Sequence, residues 1–254
     1  MALASRAQTV SASCSEDQHL ERTCTLLSGL VFNHSDRVLE VGCGSGQFFR
    51  ELARIGPRGL RIVGIDSDAS VLEEAAKNAS QLDGVVVSRM DARALRFEDR
   101  SFDVVCCSRV LVHSSNPGLV LSEMARVLRP GGRFLGIEPA AAFCAGVDDD
   151  LRRRVHGQRN PSIGRDLPAM LEAVGIKTID VLAHTFVDGA PRTTEELRLE
   201  FRAKRGLFAL ACGARSCSTA DVEEYFARRE RAEAHGYFYQ CIVHLRVLGR
   251  KDPR

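Results

Sequence analysis

Two kinds of apolar pattern alternate along the chain, and together they predict most of its secondary structure. Short apolar runs that fit buried strands precede stretches with apolar residues every third or fourth position, as in amphipathic helices. The predicted strands are residues 38–41, 61–65, 85–87, 102–107, 133–137 and 177–183. The predicted helices are residues 47–55, 70–79, 119–128 and 167–174. Strands alternating with helices imply parallel β-α-β units and a doubly wound α/β sheet.

The last third of the chain is less regular. Residues 237–248 alternate apolar and polar positions, which predicts an antiparallel edge strand and a seventh strand for the sheet. Two further helices are predicted, one capped by Thr193 or Thr194 and ending at Lys204, the other over residues 221–234 behind a Ser218-x-x-Asp221 capping box. We therefore expect an N-terminal tail and helix (1–35), a core (36–184), a helical insertion capping the carboxyl edge of the sheet (185–235), and a final strand (236–254).

The first predicted strand runs directly into three glycines, Gly42, Gly44 and Gly46, in the segment R-V-L-E-V-G-C-G-S-G. Glycine lets the backbone turn tightly and approach a ligand, because no Cβ intervenes. In open α/β sheets, ligands bind at the carboxyl ends of the strands. A glycine turn without a ligand is the simpler alternative.

Spacing separates the cofactors that such a loop can hold. No Lys follows the last glycine, which argues against a phosphate-binding P-loop, and Gly46 comes one residue early for the dinucleotide pattern G-x-G-x-x-G. Glu40, two residues before the first glycine, suits a cation better than a pyrophosphate, because a carboxylate repels phosphate. An NAD-dependent oxidoreductase is thus disfavoured.

Two more acids end the next strands. Asp66 follows the second strand, where a carboxylate can accept hydrogen bonds from ribose hydroxyls, although Ser67 and Asp68 fit a helix N-cap at least as well. Asp91, followed by Ala92, ends the third strand and could accept from an adenine amine or serve only in a turn. Buried acids without partners are costly, so one polar ligand would explain Glu40, Asp66 and Asp91 together.

Composition narrows the partners and the compartment. The 254 residues carry 35 basic and 33 acidic side chains, a net charge of +2, which gives no general reason to expect nucleic acid or a membrane surface. No apolar run approaches the roughly 20 residues that span a bilayer, and the N-terminus lacks a secretory signal core. The nine cysteines are scattered without a C-x-x-C pair, which favours reduced thiols over metal ligands. We expect a cytoplasmic protein without a metal site.

The motifs together resemble a known family. The acid-x-Gly-x-Gly-x-Gly loop, D-A-R-A-L-R-F-E-D-R-S-F-D-V-V, V-L-V-H and R-V-L-R-P-G-G are similar to the class I S-adenosylmethionine (SAM)-dependent methyltransferases, specifically the small-molecule enzymes related to ubiquinone and menaquinone biosynthesis. The resemblance covers roughly residues 36–181 and implies a Rossmann-like fold, with SAM as methyl donor and S-adenosylhomocysteine (SAH) as product. It places the following residues around the cofactor: Glu40, Gly42, Cys43, Gly44, Gly46, Asp66, Ser67, Asp91, Ala92 and Ser108.

Candidates for the chemical step follow the fourth and fifth strands. His113 could act as a general base, or it could only shape the loop that contains it. Glu138 is a second candidate, with turn stabilisation as its alternative. Arg109 could bind an acidic acceptor or only cover the cofactor. Tyr225, Phe226, Tyr237 and Tyr239 could wall an apolar pocket or belong to the core.

The acceptor is expected to be a small molecule, and the protein a monomer or homodimer. A cyclase-type enzyme or a SAM-sensing module would carry the same cofactor motifs, so both stay open. An RNA methyltransferase would have to rely on Arg152, Arg153 and Arg154 alone.

Overall fold

Seven strands form one sheet in the computed structural model, which describes residues 27, 29–145, 147–188, 217–236 and 240–253. The strands are β1 (Arg37–Val41), β2 (Arg61–Asp66), β3 (Val85–Arg89), β4 (Phe102–Ser108), β5 (Leu128–Cys144), β6 (Ile176–Asp188) and β7 (Gln240–Lys251). Their order is β3-β2-β1-β4-β5-β7-β6, and β7 is antiparallel. The predicted doubly wound, mostly parallel sheet with an antiparallel last strand is confirmed.

Six helices are described in the same residues. They are α1 (Gln47–Ile55), α2 (Ala69–Ala79), α3 (Pro117–Val127), α4 (Asp149–Val155), α5 (Ile163–Ala173) and α6 (Thr219–Ala234). Asp68 caps α2 by accepting from the Ser70 amide at 2.9 Å, which leaves the Asp66 carboxylate for other contacts. Helix α5 starts at Ile163, four residues before the predicted start, and holds Pro168 in its interior. The prediction began later because proline is typical of a first helical turn.

Both faces of the sheet are buried under helices. Consecutive residues of β1 point to opposite faces, so Val38 lies in one apolar cluster and Leu39 in another. The first cluster includes Leu52 from α1 and Ala75 from α2. The second includes residues of α3 and α5. The strands between these layers read as near-continuous apolar runs, as parallel strands do.

Strand β5 is longer than predicted and is interrupted by a bulge. Phe102 pairs with Leu128, but Val104 pairs with Arg133, so three extra residues of β5 are accommodated between these pairs. The predicted Pro130-Gly131-Gly132 turn occupies this place, and Gly131 has φ 69°. The turn therefore exists, but it lies inside the strand and not before it.

The described residues divide into two compact units, the larger made of those within 27–139, 162–183 and 245–253 and the smaller of those within 140–161 and 184–244. In the smaller unit, α4 and α6 pack through a core that includes Leu151, Tyr225 and Phe226, so these two aromatic residues are core residues. The capping box of α6 is confirmed, since the Ser218 amide donates to Asp221 at 2.8 Å and the Asp221 amide to the Ser218 hydroxyl at 3.1 Å.

Several predictions fall outside the described residues: the helix ending at Lys204 with Thr193 or Thr194 as its cap, the pocket-wall role of Tyr237 and Tyr239, and most of the N-terminal segment. The boundaries proposed at residues 35, 184 and 235 stay predictions. Among the described residues, no helix is long and apolar enough to span a membrane.

Candidate active site

The three glycines form a tight turn at the carboxyl end of β1. All three have positive φ: 71° at Gly42, 53° at Gly44 and 87° at Gly46. A Cβ on Gly42 would lie 2.3 Å from Val110 Cγ2, and one on Gly46 would lie 2.1 Å from the Phe49 ring. A Cβ on Gly44 would meet no atom within 4 Å. The outer two glycines are therefore required for packing, whereas the space beside Gly44 is open.

Glu40 is buried beside this turn, with 4% of its surface exposed. Burial raises the pKa of its carboxyl to about 8, opposed by a hydrogen bond from the Phe49 amide and reinforced by the charge of Asp66. Its Oε2 atom has no hydrogen-bond donor among the described residues. A buried carboxylate oxygen without a donor is costly, and a cationic or hydrogen-bond-donating ligand would relieve that cost.

Asp66, at the end of β2, orders the glycine turn. Its Oδ2 accepts from the Gly44 amide at 2.9 Å, and its Oδ1 accepts from the Asp68 amide at 3.0 Å. The Ile65 carbonyl also accepts from the Gly42 and Cys43 amides, at 2.8 and 2.9 Å. These bonds bring Glu40, the three glycines and Asp66 together at one edge of the sheet. Cys43 is buried here, and burial raises the pKa of its thiol.

Asp91, beyond β3, is exposed and held by Arg93. The Arg93 guanidinium donates to both carboxylate oxygens, with its shortest contact at 2.7 Å, and this contact lowers the pKa of Asp91. Arg93 also donates to the Ser115 hydroxyl at 3.2 Å. A cavity of about 460 Å³ lies beside these residues. Its lining residues are Ser67, Arg89, Met90, Asp91, Ala94 and Arg96. Ala92 packs, partly buried, against the core.

Residues 109–113 form the loop that follows β4, here called the β4 loop. Ser108 ends β4 partly buried, next to β1, and Arg109 then takes a left-handed φ of 57°. His113 is exposed, and its amide donates to the Val110 carbonyl at 3.1 Å. The carboxylate of Glu138, at 0% exposure, accepts backbone hydrogen bonds from this loop.

Comparisons to known proteins agree with this fold. Residues 39–136 match the family model described as a methyltransferase domain. An uncharacterized 37.1 kDa protein of a Streptomyces fradiae transposon is 38% identical over 201 residues, covering 72% of this chain and 56% of its own. The 27-O-demethylrifamycin SV methyltransferase of Amycolatopsis mediterranei is 34% identical over 142 residues, covering 54% of this chain and 52% of its own.

A demethylmenaquinone methyltransferase of Staphylococcus aureus is 31% identical over 123 residues, covering 48% of this chain and 51% of its own. The domain at residues 39–136 is a methyltransferase domain of the class I SAM-dependent type. The predicted relation to the quinone enzymes is confirmed. The chain spans about half the length of the curated relatives that it matches.

Solved structures agree with the methyltransferase fold. The [4+2]-cyclase SpnF superposes with a TM-score of 0.62 at 22% identity, covering 92% of this chain and 81% of that one. At this identity the likeness concerns the fold alone.

Sequence patterns missed three residues of the candidate site. The Val110 side chain packs against Gly42, and the Phe49 amide donates a hydrogen bond to Glu40. Arg93 forms an ion pair with Asp91. Only Arg93 had a usable signal, because an Asp-x-Arg sequence in a loop allows the arginine to fold back onto the carboxylate. The other two contacts depend on how the loops pack. In the described residues, no group of three His, Cys, Asp or Glu side chains is arranged to hold a metal ion.

Proposed function

We propose that this chain transfers a methyl group from SAM to a small-molecule acceptor, with the cofactor at the edge formed by Glu40, the glycine turn and Asp66. The observation that carries the proposal is the coincidence of the donor-free, buried Glu40 oxygen with open space beside Gly44. A ligand with a positive charge fits this environment, whereas a phosphate does not. SAM has such a charge on its amino acid portion and its sulfonium.

The residues present fit the cofactor. We assign Glu40 and the backbone of Gly42, Cys43, Gly44 and Gly46 to its amino acid portion, and Asp66 and Ser67 to its ribose. Asp91 and Ala92 would lie beside its adenine, and Ser108 near its centre. A carboxylate at the end of a strand can accept from both ribose hydroxyls, which supports the role of Asp66. For Asp91 to accept from adenine, Arg93 has to share that carboxylate.

When bound, SAM supplies a methyl group that its sulfonium already activates. The chain's own residues therefore have to align the acceptor and exclude water. We propose His113 as the base for an acceptor that must lose a proton, because its imidazole is exposed on the β4 loop and histidine is the side chain best suited to general-base work. Arg109, exposed on the same loop, is a candidate to bind an acidic acceptor.

The near balance of 35 basic and 33 acidic residues supports a small-molecule acceptor over nucleic acid and is compatible with a cytoplasmic monomer or homodimer. Size-exclusion chromatography with light scattering determines which of the two assemblies forms.

Radiolabelled SAM tests the proposed function. The full chain is incubated with methyl-labelled SAM and a library of phenols, quinols, amines and hydroxylated metabolites, and transfer of label is recorded. Labelled product formed by the wild type supports methyl transfer, and loss of that product in His113→Ala supports His113 as the general base. SAH binding without label in any product favours the cyclase-type or sensor alternative. Absence of both binding and transfer contradicts the proposal.

A further inference from the structure

Glu138 makes an unusual set of contacts at the end of the parallel part of β5. Its Oε1 accepts from the Val110 and Leu111 amides, both at 2.8 Å, and its Oε2 accepts from the Val112 amide at 3.2 Å. Three consecutive backbone donors thus converge on one side chain with 0% exposure. Backbone donors that point the same way form an anion-binding nest, and here the anion belongs to the protein itself.

The nest fixes a strained part of the chain. Arg109, one residue before it, has φ 57°, a left-handed conformation that is strained for a residue other than glycine. The Arg109 amide donates to the Ile137 carbonyl at 2.8 Å, so both sides of this kink are bonded to β5. Strain of this kind persists only where surrounding bonds enforce it.

The β4 loop also contacts the glycine turn. A Cβ on Gly42 would lie only 2.3 Å from Val110 Cγ2, so the Val110 side chain packs directly against this glycine. The position of Val110 is in turn set by the hydrogen bond that its backbone amide donates to the Glu138 carboxylate. A short chain of contacts therefore runs from Glu138 through Val110 to the turn that contains Gly44.

We propose that Glu138 is a positioning residue whose carboxylate holds the β4 loop against the glycine turn, so that its ionisation controls cofactor affinity and the placement of His113. The proposal deepens the proposed function and rests on it for the cofactor. It replaces a catalytic role for Glu138, because both carboxylate oxygens are already committed to backbone amides and the side chain has no exposed surface.

Protonation should weaken this arrangement. A carboxylate accepts at both oxygens, whereas a carboxylic acid has one O–H that points a donor at a donor. Burial raises the pKa of Glu138 to about 7, while the three amides and the Arg109 charge lower it. Burial raises the pKa of the neighbouring Cys107 thiol, and the charge of Glu138 raises it further. Because the three amides bond the ionised carboxylate and lower its pKa, ionisation favours the bonded loop. The loop is therefore held most firmly well above pH 7 and loosens as the pH falls through 7.

Hydrogen exchange of the full chain without ligand tests the contact directly. The variant Glu138→Gln keeps the size of the side chain but places an NH2 group against one amide. We expect the peptide covering residues 109–113 to exchange about tenfold faster in this variant, as for the loss of one hydrogen bond to a charged group. Glu172→Gln, the same change at an exposed residue of α5, should leave this peptide unchanged.

The pH dependence distinguishes positioning from simple structural support. For the wild type, exchange of the 109–113 peptide, corrected for its intrinsic pH dependence, should rise by about tenfold from pH 8 to pH 6. In Glu138→Gln this ratio should be flat. SAH should bind Glu138→Gln about tenfold more weakly than wild type at pH 8, and the two should converge at pH 6.

Three outcomes overturn the proposal. One is unchanged exchange of the 109–113 peptide in a folded Glu138→Gln. Another is loss of methyl transfer with unchanged exchange and SAH affinity, which would make Glu138 a catalytic residue. The third applies if Glu138→Gln does not fold: it is wild-type exchange of the 109–113 peptide that, after correction, does not change between pH 8 and pH 6. Failure of the wild type to bind SAH would refute the proposed function instead, since exchange still reports on the loop.

Discussion

Glu40 links folding stability to ligand binding at the scale of a single residue. Its folded pKa of about 8 exceeds the ordinary value of 4.5, so the native state holds a proton that the unfolded state has lost between these two pH values. Stability therefore falls as pH rises from about 4.5 to 8, and the deficit is complete above pH 8. Ionised Glu40 therefore lowers the free energy of unfolding of the protein without its ligand.

Replacing Glu40 with Gln should remove this cost. We expect the free energy of unfolding in urea at pH 9 to rise by about 2 kcal/mol, with a small change at pH 4.5. SAH should bind at least about tenfold more weakly, because a charged hydrogen bond is lost. Glu74→Gln, on the exposed side of α2, serves as the control. Unchanged stability and affinity would contradict the assigned environment of Glu40.

Gly44 gives a second prediction at the residue scale. Gly44→Val fills open space, so we expect loss of SAH binding with only the strain of φ 53°, about 1–2 kcal/mol of unfolding free energy. Gly175→Val is a matched control, because Gly175 has φ 76° and open space in the turn before β6. It should lose similar stability and keep SAH binding. Equal SAH affinity in Gly44→Val would show that the ligand lies elsewhere.

At the scale of elements, Arg126 ties α3 to the segment between β3 and β4. Its guanidinium donates to the Leu95 and Phe97 carbonyls, both at 2.8 Å, and to Glu123 and Asp99. Arg126→Ala should lower the urea-measured unfolding free energy by about 2 kcal/mol, because two backbone carbonyls lose a charged donor. Arg126→Lys keeps the positive charge but lacks the several N–H donors of the guanidinium, so it should recover only part of the lost unfolding free energy. Full stability in Arg126→Ala would refute this role.

Element positions were predictable where periodicity was strong. Helix α1 has the predicted bounds, and β1, β2 and β4 each extend the prediction by one residue. These elements combine a buried apolar face with clear glycine or acidic ends, so local pattern and tertiary packing agree. Strand β5 was underestimated, because Pro130-Gly131-Gly132 is a turn signal whether it precedes a strand or bulges within one.

The site was predictable in its residues but not in its contacts. Glu40, Gly42, Gly44, Gly46 and Asp66 follow from the order of strands and acids, because parallel strands end at one edge. The three amides on Glu138 and the pairing of Asp91 with Arg93 depend on loop conformations that no periodicity encodes. The roles of all these residues toward a ligand stay predictions.

At the scale of the whole molecule, the described features converge on one edge of the sheet. Most of the proposed cofactor residues lie at the carboxyl ends of β1, β2 and β3, and the proposed acceptor residues Arg109 and His113 follow β4, the next strand along the sheet. The sequence specifies the donor side through short motifs. The acceptor side has no such motif, since differing acceptors require differing side chains on the same fold.

Isothermal titration of the full chain with SAH at pH 8 tests the central claim most directly. We predict one site per chain with micromolar affinity, retained in Gly175→Val and lost in Gly44→Val. Absence of binding to the folded wild type, or binding of NADH in its place, would contradict a SAM site at the glycine turn.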